Sequence, residues 1–114
     1  MGNLSLGEFE EVVLLTVAVL YKNAYGISIK EDIETRLERK VSIGAMRTAL
    51  NRLEKKGFVN SEFGEATKVR GGKRKRYFRL TPTGKKALED VMESRNKLWS
   101  AIPELSFDFN FSYA

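Results

Sequence analysis

Residues 42–57 read SIGAMRTALNRLEKKG, and this stretch decides the fold that the sequence predicts. Ser42 is suited to cap a helix that runs to about Lys56, and Gly57 is a natural stop for it. The apolar residues fall on one side of this helix, and they are Ile43, Met46, Ala49, Leu50 and Leu53. The opposite side is small or hydrogen-bonding, with Gly44, Thr48, Asn51, Arg52 and Lys55 at its centre and Ala45 and Arg47 on its flanks.

Two further helices are predicted ahead of this one. Apolar residues recur at three- and four-residue steps from Glu8 to Tyr21, which predicts the most deeply buried helix of the chain. Ser28 and Glu31 fit a capping box, which predicts a second helix that ends near Arg39. The inward stripe of that second helix is expected to consist of Ile29, Ile33 and Leu37.

Two strands are predicted after Gly57, over residues 58–65 and 75–80. Gly71-Gly72 lies between them and supplies the positive φ angles of a hairpin tip. Alternation along the second strand places Phe78 in the core and disfavours its use as a base-stacking residue for single strands. Residues 68–79 carry seven cations and no acid, so the predicted hairpin is strongly basic.

A fourth helix is predicted from Thr81-Pro82, a cap followed by a proline at the first helical position, to about Ile102. Its apolar seam needs a surface to lie against, and a twin helix across a two-fold axis is the simplest partner. Arg95 interrupts the seam, so it is expected to extend into solvent or to pair across the axis with Glu93 or Asp90. The seam residues are Leu88, Val91, Leu98 and Ile102, with Met92 and Trp99 beside them.

The last residues alternate between apolar and polar side chains from Glu104 to Tyr113. This period predicts a strand. We interpret residues 103–114 as an extended aromatic arm packed on the protein's own dimer, because several aromatic side chains on one face are costly to leave in water. A contact surface for another protein and a lid over an effector pocket remain as alternatives, and so does a frayed terminus.

Composition excludes several classes of function. The chain has 114 residues without Cys or His, which removes thiol catalysis, zinc fingers, histidine metal sites and Ser-His or Cys-His triads. We therefore expect no enzyme, no metal and no cofactor. No targeting or membrane-spanning segment is visible, so a cytoplasmic protein is expected. The net charge of +5 is concentrated in residues 40–79, where twelve basic and three acidic side chains favour an anionic partner.

Together these elements predict a mainly α-helical protein with a small β-hairpin, a winged helix-turn-helix over residues 5–81, and a dimerisation helix over 82–102. The third helix would enter the major groove of double-stranded DNA, and the wing (about 66–76) would contact phosphates or the minor groove. An interaction module that binds an acidic protein or RNA is the alternative. The predicted DNA-binding residues are Ser42, Gly44, Ala45, Arg47, Thr48, Asn51, Arg52, Lys55, Lys68, Arg70, Lys73, Arg74 and Lys75.

Two strings resemble the PadR family of transcriptional regulators. GAMRTALNRLEKKGFV (44–59) is similar to the family's recognition-helix signature, and KRYFRLTPTG (75–84) is similar to its second wing strand and the start of its fourth helix. The likeness covers about residues 5–102. The family usually has Tyr at the position of Arg47 and often Pro at that of Thr48, so operator preferences do not carry over.

The resemblance implies a homodimeric bacterial repressor on a pseudo-palindromic operator, with half-sites about one duplex turn apart. It also implies an inducing signal, often a small aromatic compound that lowers DNA affinity. Trp99 is a candidate to stack on such a compound, although packing in the dimer core is the expected role of a large aromatic on a helix seam. The residues assigned to the dimer or effector site are Phe9, Leu88, Val91, Met92, Arg95, Leu98, Trp99 and Ile102.

Overall fold

The computed structural model describes residues 5–64 and 74–110. Within them, the predicted fold class is confirmed: four α-helices accompany one two-stranded antiparallel hairpin. No helix in these ranges is long and apolar enough to cross a membrane. In chain order the elements are α1 (Glu8–Leu20), a 3₁₀ turn (Tyr21–Asn23), α2 (Gly26–Leu37), α3 (Ile43–Lys55), β1 (Val59–Phe63), β2 (Arg76–Leu80), α4 (Pro82–Ala101) and a second 3₁₀ turn (Glu104–Phe107).

The core lies between α1, α2 and α3, and the base of the hairpin closes it. Two residues expected in this core are instead exposed: Ile43 is 40% and Leu37 52% accessible to solvent. Each stands at the open end of its helix, the first residue of α3 and the last of α2, beyond the cover of the neighbouring helices. The completely buried side chains include Val13, Leu14, Val17, Ile29, Ile33, Met46 and Leu53.

The ends of α3 and α4 follow the predicted capping signals. The Ser42 hydroxyl accepts a hydrogen bond from the Ala45 amide at 3.1 Å, and Gly57 has a φ of +78° after the last turn of α3. The Thr81 hydroxyl accepts from the Gly84 amide at 3.0 Å, with Pro82 at the first helical position. These side chains satisfy backbone amides that have no partner inside the helix.

The predicted start of α2 at Ser28 is wrong. The helix begins at Gly26, and Ser28 occupies its third position, where its hydroxyl accepts a hydrogen bond from the Tyr25 amide at 2.9 Å. A serine hydroxyl can bond back to the amide that precedes the helix as well as forward to the amides inside it. The same residue type therefore fits both registers, and the sequence pattern did not separate them.

The hairpin pairs Val59 with Leu80 at its base and Phe63 with Arg76 further out. Phe78 is buried, as predicted, and its amide donates to the Ala24 carbonyl at 2.8 Å. This bond ties the wing to the segment just before α2. The hairpin tip falls outside the described residues, and the predicted DNA contacts Lys68, Arg70 and Lys73 lie there with it.

The first turn of α1 holds three other parts of the chain through its carboxylates. Negative charges in the first turn of a helix are favoured by the positive end of the helix dipole. Each also forms an ion pair with a cation far along the chain, which connects α1 to the segment after α2, to the end of α3 and to α4. The pairs are Glu8–Arg39 at 2.8 Å, Glu10–Lys56 at 2.7 Å and Glu11–Arg95 at 2.9 Å.

The first two turns of α4 pack into the domain through buried Gly84 and Leu88, and half-buried Val91 follows in the third turn. The whole helix has 20 residues and is about 30 Å long, and the remainder of it extends outward. Arg95 is exposed, as one of the two alternatives predicted, and its guanidinium donates to Glu11 of its own chain at 2.9 Å. Glu93 and Asp90 each pair with a lysine of α4 itself, and pairing of Arg95 across a two-fold axis stays a prediction.

The predicted strand in the tail is wrong over the described residues 104–110. Glu104–Phe107 forms a 3₁₀ turn in which the Ser106 amide donates to the Pro103 carbonyl at 2.9 Å. A strand needs a neighbouring strand to satisfy its backbone groups, and α4 separates this segment from the hairpin. The turn instead brings Phe107 beside Trp99, with ring centroids 6.2 Å apart.

Candidate nucleic-acid interface

The outer face of α3 is exposed to solvent. Its centre carries Gly44 and Asn51, and a Cβ added at Gly44 would meet nothing within 4 Å. Among the described residues, no carboxylate lies within ion-pair distance of the three cations on this face, Arg47, Arg52 and Lys55. The predicted DNA-binding residues that the structure exposes are Ser42, Gly44, Ala45, Arg47, Thr48, Asn51, Arg52, Lys55, Arg74 and Lys75.

The inner face fixes the position of α3. Met46, Ala49, Leu50 and Leu53 are buried against the other helices, so the helix cannot rotate without exposing them. At its C-terminal end, the Lys56 ammonium donates to a Glu10 carboxylate oxygen and to the Ser5 carbonyl, both at 2.7 Å. Lys56 is thus half-buried against the start of α1, unlike the exposed cations of the outer face.

Glu10 is charged in this arrangement. Burial by itself raises the pKa of the Glu10 carboxyl, but hydrogen bonds from the Lys56 ammonium and the Gly7 amide outweigh it. The net pKa therefore lies below its ordinary value of 4.5. An ion pair at the end of α3 persists at neutral pH and links that end to the first turn of α1.

A second set of polar contacts fixes the wing against α3. The Arg76 guanidinium donates to Ser61 Oγ across the hairpin at 3.0 Å and to a carboxylate oxygen of Glu54 on α3. Ser61 Oγ in turn donates to the other Glu54 oxygen at 2.6 Å. Arg76 therefore positions the wing although its side chain is exposed, a role that the basic run in the sequence did not reveal.

Aromatic contacts complete the base of the wing. Tyr25 and Tyr77 meet edge to face with centroids 5.5 Å apart, and the Lys75 ammonium lies 4.3 Å from the centroid of the Tyr25 ring. A cation over an aromatic face is attracted by the ring's negative quadrupole. Lys75 is exposed and held near the start of α2, beside the outer face of α3.

A cleft of about 650 Å³ separates the N-terminal half of α3 from the base of the wing. Its floor is apolar, with Met46, Leu50 and Phe78 among the lining residues. Two exposed isoleucines, Ile27 and Ile43, lie at its edge. Cationic side chains also border the cleft, and they are Arg47, Arg74, Lys75 and Arg76. The wing and α3 therefore present cations on both sides of one cleft.

The residues assigned to the dimer or effector site do not form one pocket in the single chain. Leu88 is buried in the core, and Phe9 and Val91 are half-buried. Phe9 also lies under the Arg39 guanidinium, 5.2 Å from the ring centroid. The others extend along exposed α4, where Met92, Arg95, Leu98, Trp99 and Ile102 face solvent.

Three packed helices followed by a two-stranded hairpin, with an exposed and cationic third helix, define a winged helix-turn-helix protein. The model of the Transcriptional regulator PadR-like family matches residues 14–90. The chain therefore belongs to the PadR-like family of transcriptional regulators.

The chain is also similar to individual proteins. An uncharacterised protein of Lysinibacillus sphaericus is 30% identical over 101 residues, which cover 87% of this chain and 84% of that relative. A PadR-family regulator of Clostridium difficile R20291 is 30% identical and superimposes with a TM-score of 0.64 over 78% of this chain and 91% of its own.

Two further solved structures share the fold. A PadR-like transcription factor of Bacteroides fragilis is 25% identical with a TM-score of 0.68 over 81% of this chain and 84% of its own. Bacillus subtilis PadR, solved in complex with operator DNA, is 19% identical with a TM-score of 0.61 over 75% of this chain and 46% of its own.

Proposed function

We propose that the protein is a sequence-specific double-stranded DNA-binding regulator that acts as a homodimeric, ligand-responsive repressor in the cytoplasm. The observation that carries the proposal is the outer face of α3. Three cations there, Arg47, Arg52 and Lys55, have no carboxylate within ion-pair distance among the described residues, and the same face carries Gly44, whose Cβ position is empty. Such a face allows a helix to approach the major groove closely and to donate to bases and phosphates.

The wing supports the same interpretation. Arg74 and Lys75 are exposed at its base, next to the cleft that it shares with α3. The Arg76–Glu54 contact fixes the wing relative to the helix, so both elements can engage one duplex at the same time. We assign α3 to the major groove and the wing, about residues 66–76, to phosphates or the minor groove.

A second copy of the chain supplies the other half-site. The outward part of α4 exposes Leu98 at 73% and Trp99 at 69%, more apolar surface than a helix normally leaves in water. We propose that this part of α4 dimerises, and that the tail packs on the same dimer. Two copies would then present two α3 helices to a pseudo-palindromic operator.

A small aromatic effector is the further element of the proposal. Trp99 and Phe107 meet at a tilted angle on an exposed surface near the end of α4. Flat aromatic compounds stack on such rings. A compound bound there would change how the two α4 helices pack and, through them, the separation of the two α3 helices on DNA.

Two substitutions test the DNA assignment on an operator selected from random duplexes. Asn51→Ala should cost roughly 1–3 kcal/mol on that operator and relax the preference at one base pair. Arg74→Ala should weaken binding to all duplexes about equally and reduce the salt dependence by about one counterion. Lys85→Ala, which removes an exposed charge of α4, is the matched control and should leave operator binding unchanged.

The measurement is fluorescence anisotropy with a labelled duplex at several salt concentrations. The assignment is reversed if Arg74→Ala changes the base preference while Asn51→Ala does not. Tight binding to RNA or to an acidic protein, together with weak and salt-sensitive binding to every duplex, favours the interaction-module alternative.

A further inference from the structure

Two large aliphatic side chains stand exposed on an otherwise polar and cationic surface. Ile43, the first residue of α3, is 40% accessible, and Ile27, in the first turn of α2, is 57% accessible. Both line the cleft beside Arg47 and Lys75. Ile43 is exposed because it stands at the open end of α3, and this position leaves an aliphatic side chain among cations.

Position in the helix makes Ile43 the more informative of the two. The residues at the N-terminal end of the third helix are the ones that reach base edges when a winged helix docks on a duplex. Arg47 follows Ile43 by one turn on the same side of α3, and its guanidinium is available to hold the phosphate or guanine next to it. An aliphatic group at this place would be brought into the major groove by its cationic neighbours.

The major groove offers an aliphatic side chain one apolar target. Of the four bases, thymine alone presents a methyl group there, at C5. The other groups in the major groove are hydrogen-bond donors and acceptors, which an aliphatic side chain cannot pair with. Contact with that methyl removes apolar surface of both partners from water. A cytosine at the same position offers an amino group instead, which the Ile43 side chain would desolvate without replacing its hydrogen bond.

We propose that Ile43 is a specificity-determining residue that contacts the C5-methyl group of one thymine in each half-site of the operator. The inference rests on the proposed function, because it assumes that α3 enters the major groove. It adds the chemical identity of one recognised base and a residue outside the set predicted from the sequence. Ile27 lies in the first turn of α2 rather than on α3, so we expect it to contact no thymine methyl group.

Deoxyuridine provides the direct test, since it keeps every hydrogen-bonding group of thymidine and lacks only the methyl. Each thymidine of the selected operator is replaced in turn by deoxyuridine, and Kd is measured by fluorescence anisotropy at one salt concentration. The wild-type protein should lose about fourfold in affinity at one position per half-site, the effect of removing one buried methyl group.

Three variants complete the experiment. Ile43→Ala should bind the thymidine operator more weakly and show no loss at the sensitive position, whereas Ile43→Val should keep part of the discrimination. Ile27→Ala is the matched control from the same cleft and should retain the full discrimination of the wild type. Because Ile43 and Ile27 are exposed, thermal denaturation should show all three variants folded.

The outcomes separate this inference from the function on which it rests. A consensus operator whose binding is indifferent to deoxyuridine overturns the methyl contact and leaves the DNA-binding function intact. Equal discrimination by Ile43→Ala and wild type assigns the methyl to another residue and overturns the proposal as well. Failure to select any consensus removes the proposed function and, with it, the inference.

Discussion

Gly84→Ala should loosen the attachment of α4 to the winged helix. Gly84 is buried at the third position of α4, and a Cβ built there would lie 2.2 Å from the Phe58 carbonyl oxygen and 2.9 Å from Leu80 Cδ1. The first contact is with backbone, which cannot rotate away as a side chain can. Moving α4 aside also strains the bond from the Thr81 hydroxyl to the Gly57 carbonyl, 2.6 Å in the wild type.

The expected magnitude follows from opposing effects. Forcing an extra methyl into packed structure costs about 1–3 kcal/mol, and a contact this short with backbone belongs at the upper end. Alanine regains about 1 kcal/mol of helix propensity over glycine. The net loss of about 2 kcal/mol corresponds to a melting temperature about 8 °C lower for a chain of this length.

Thermal denaturation followed by circular dichroism at a fixed protein concentration measures the effect. Gly44→Ala is the matched control, since a Cβ at this helical glycine meets nothing within 4 Å and the variant should melt at or slightly above the wild-type temperature. A Gly84→Ala protein as stable as the wild type would refute the close approach between α4 and Phe58.

Other predictions concern charges and the tail. The lowered pKa of Glu10 contributes stability that is fully present above about pH 4.5 and lost as the pH falls through the lowered value; Glu10→Gln should therefore melt earlier at pH 7 and show a flatter acid limb in a pH series. Glu54→Ala removes the ion pair with Arg76 that positions the wing, so the variant should bind DNA more weakly in an anisotropy titration. The loss of a negative charge would by itself have the opposite effect and tighten DNA binding. Ending the chain at Pro103 should weaken dimerisation in sedimentation equilibrium; an unchanged dimer and melting temperature would leave only a partner surface or a lid as roles for the tail.

Local signals predicted most of the fold correctly. Helix caps at Ser42 and Thr81, the positive φ of Gly57 and the burial of Phe78 all depend on short-range chemistry that the sequence displays directly. The exposed face of α3 follows from the helical period alone, once the opposite face is assigned to the core. The site residues on it remain predictions until DNA binding is measured.

Errors arose where the result depends on neighbouring elements. The helical period assigns Ile43 to the apolar side of α3, but it does not show that the other helices stop short of that end. Alternation from Glu104 onward suits a strand, yet the pattern supplies no partner strand to pair with it. In both cases the sequence pattern reflects a true local preference, but the neighbouring elements determine whether the residue is buried or the strand forms.

The long-range ion pairs could not be predicted from the sequence for a related reason. Lys56 and Glu10 are 46 residues apart, and nothing in their spacing distinguishes Lys56 from the cations that face solvent. Arg76 likewise belongs to a run of basic residues, although its guanidinium is engaged with Glu54 and Ser61. Charge patterning therefore located the basic surface, but it did not distinguish the exposed cations of the outer face of α3 from the cations that form ion pairs within the fold.

Selection of the purified protein on a pool of random duplexes, at two salt concentrations and with competitor DNA, tests the central claim most directly. We predict a pseudo-palindromic consensus with half-sites about one duplex turn apart, bound more weakly as salt rises. Salt-sensitive binding without any consensus would contradict the account, because it would leave only the charge of the α3 and wing surface and no reading of base sequence.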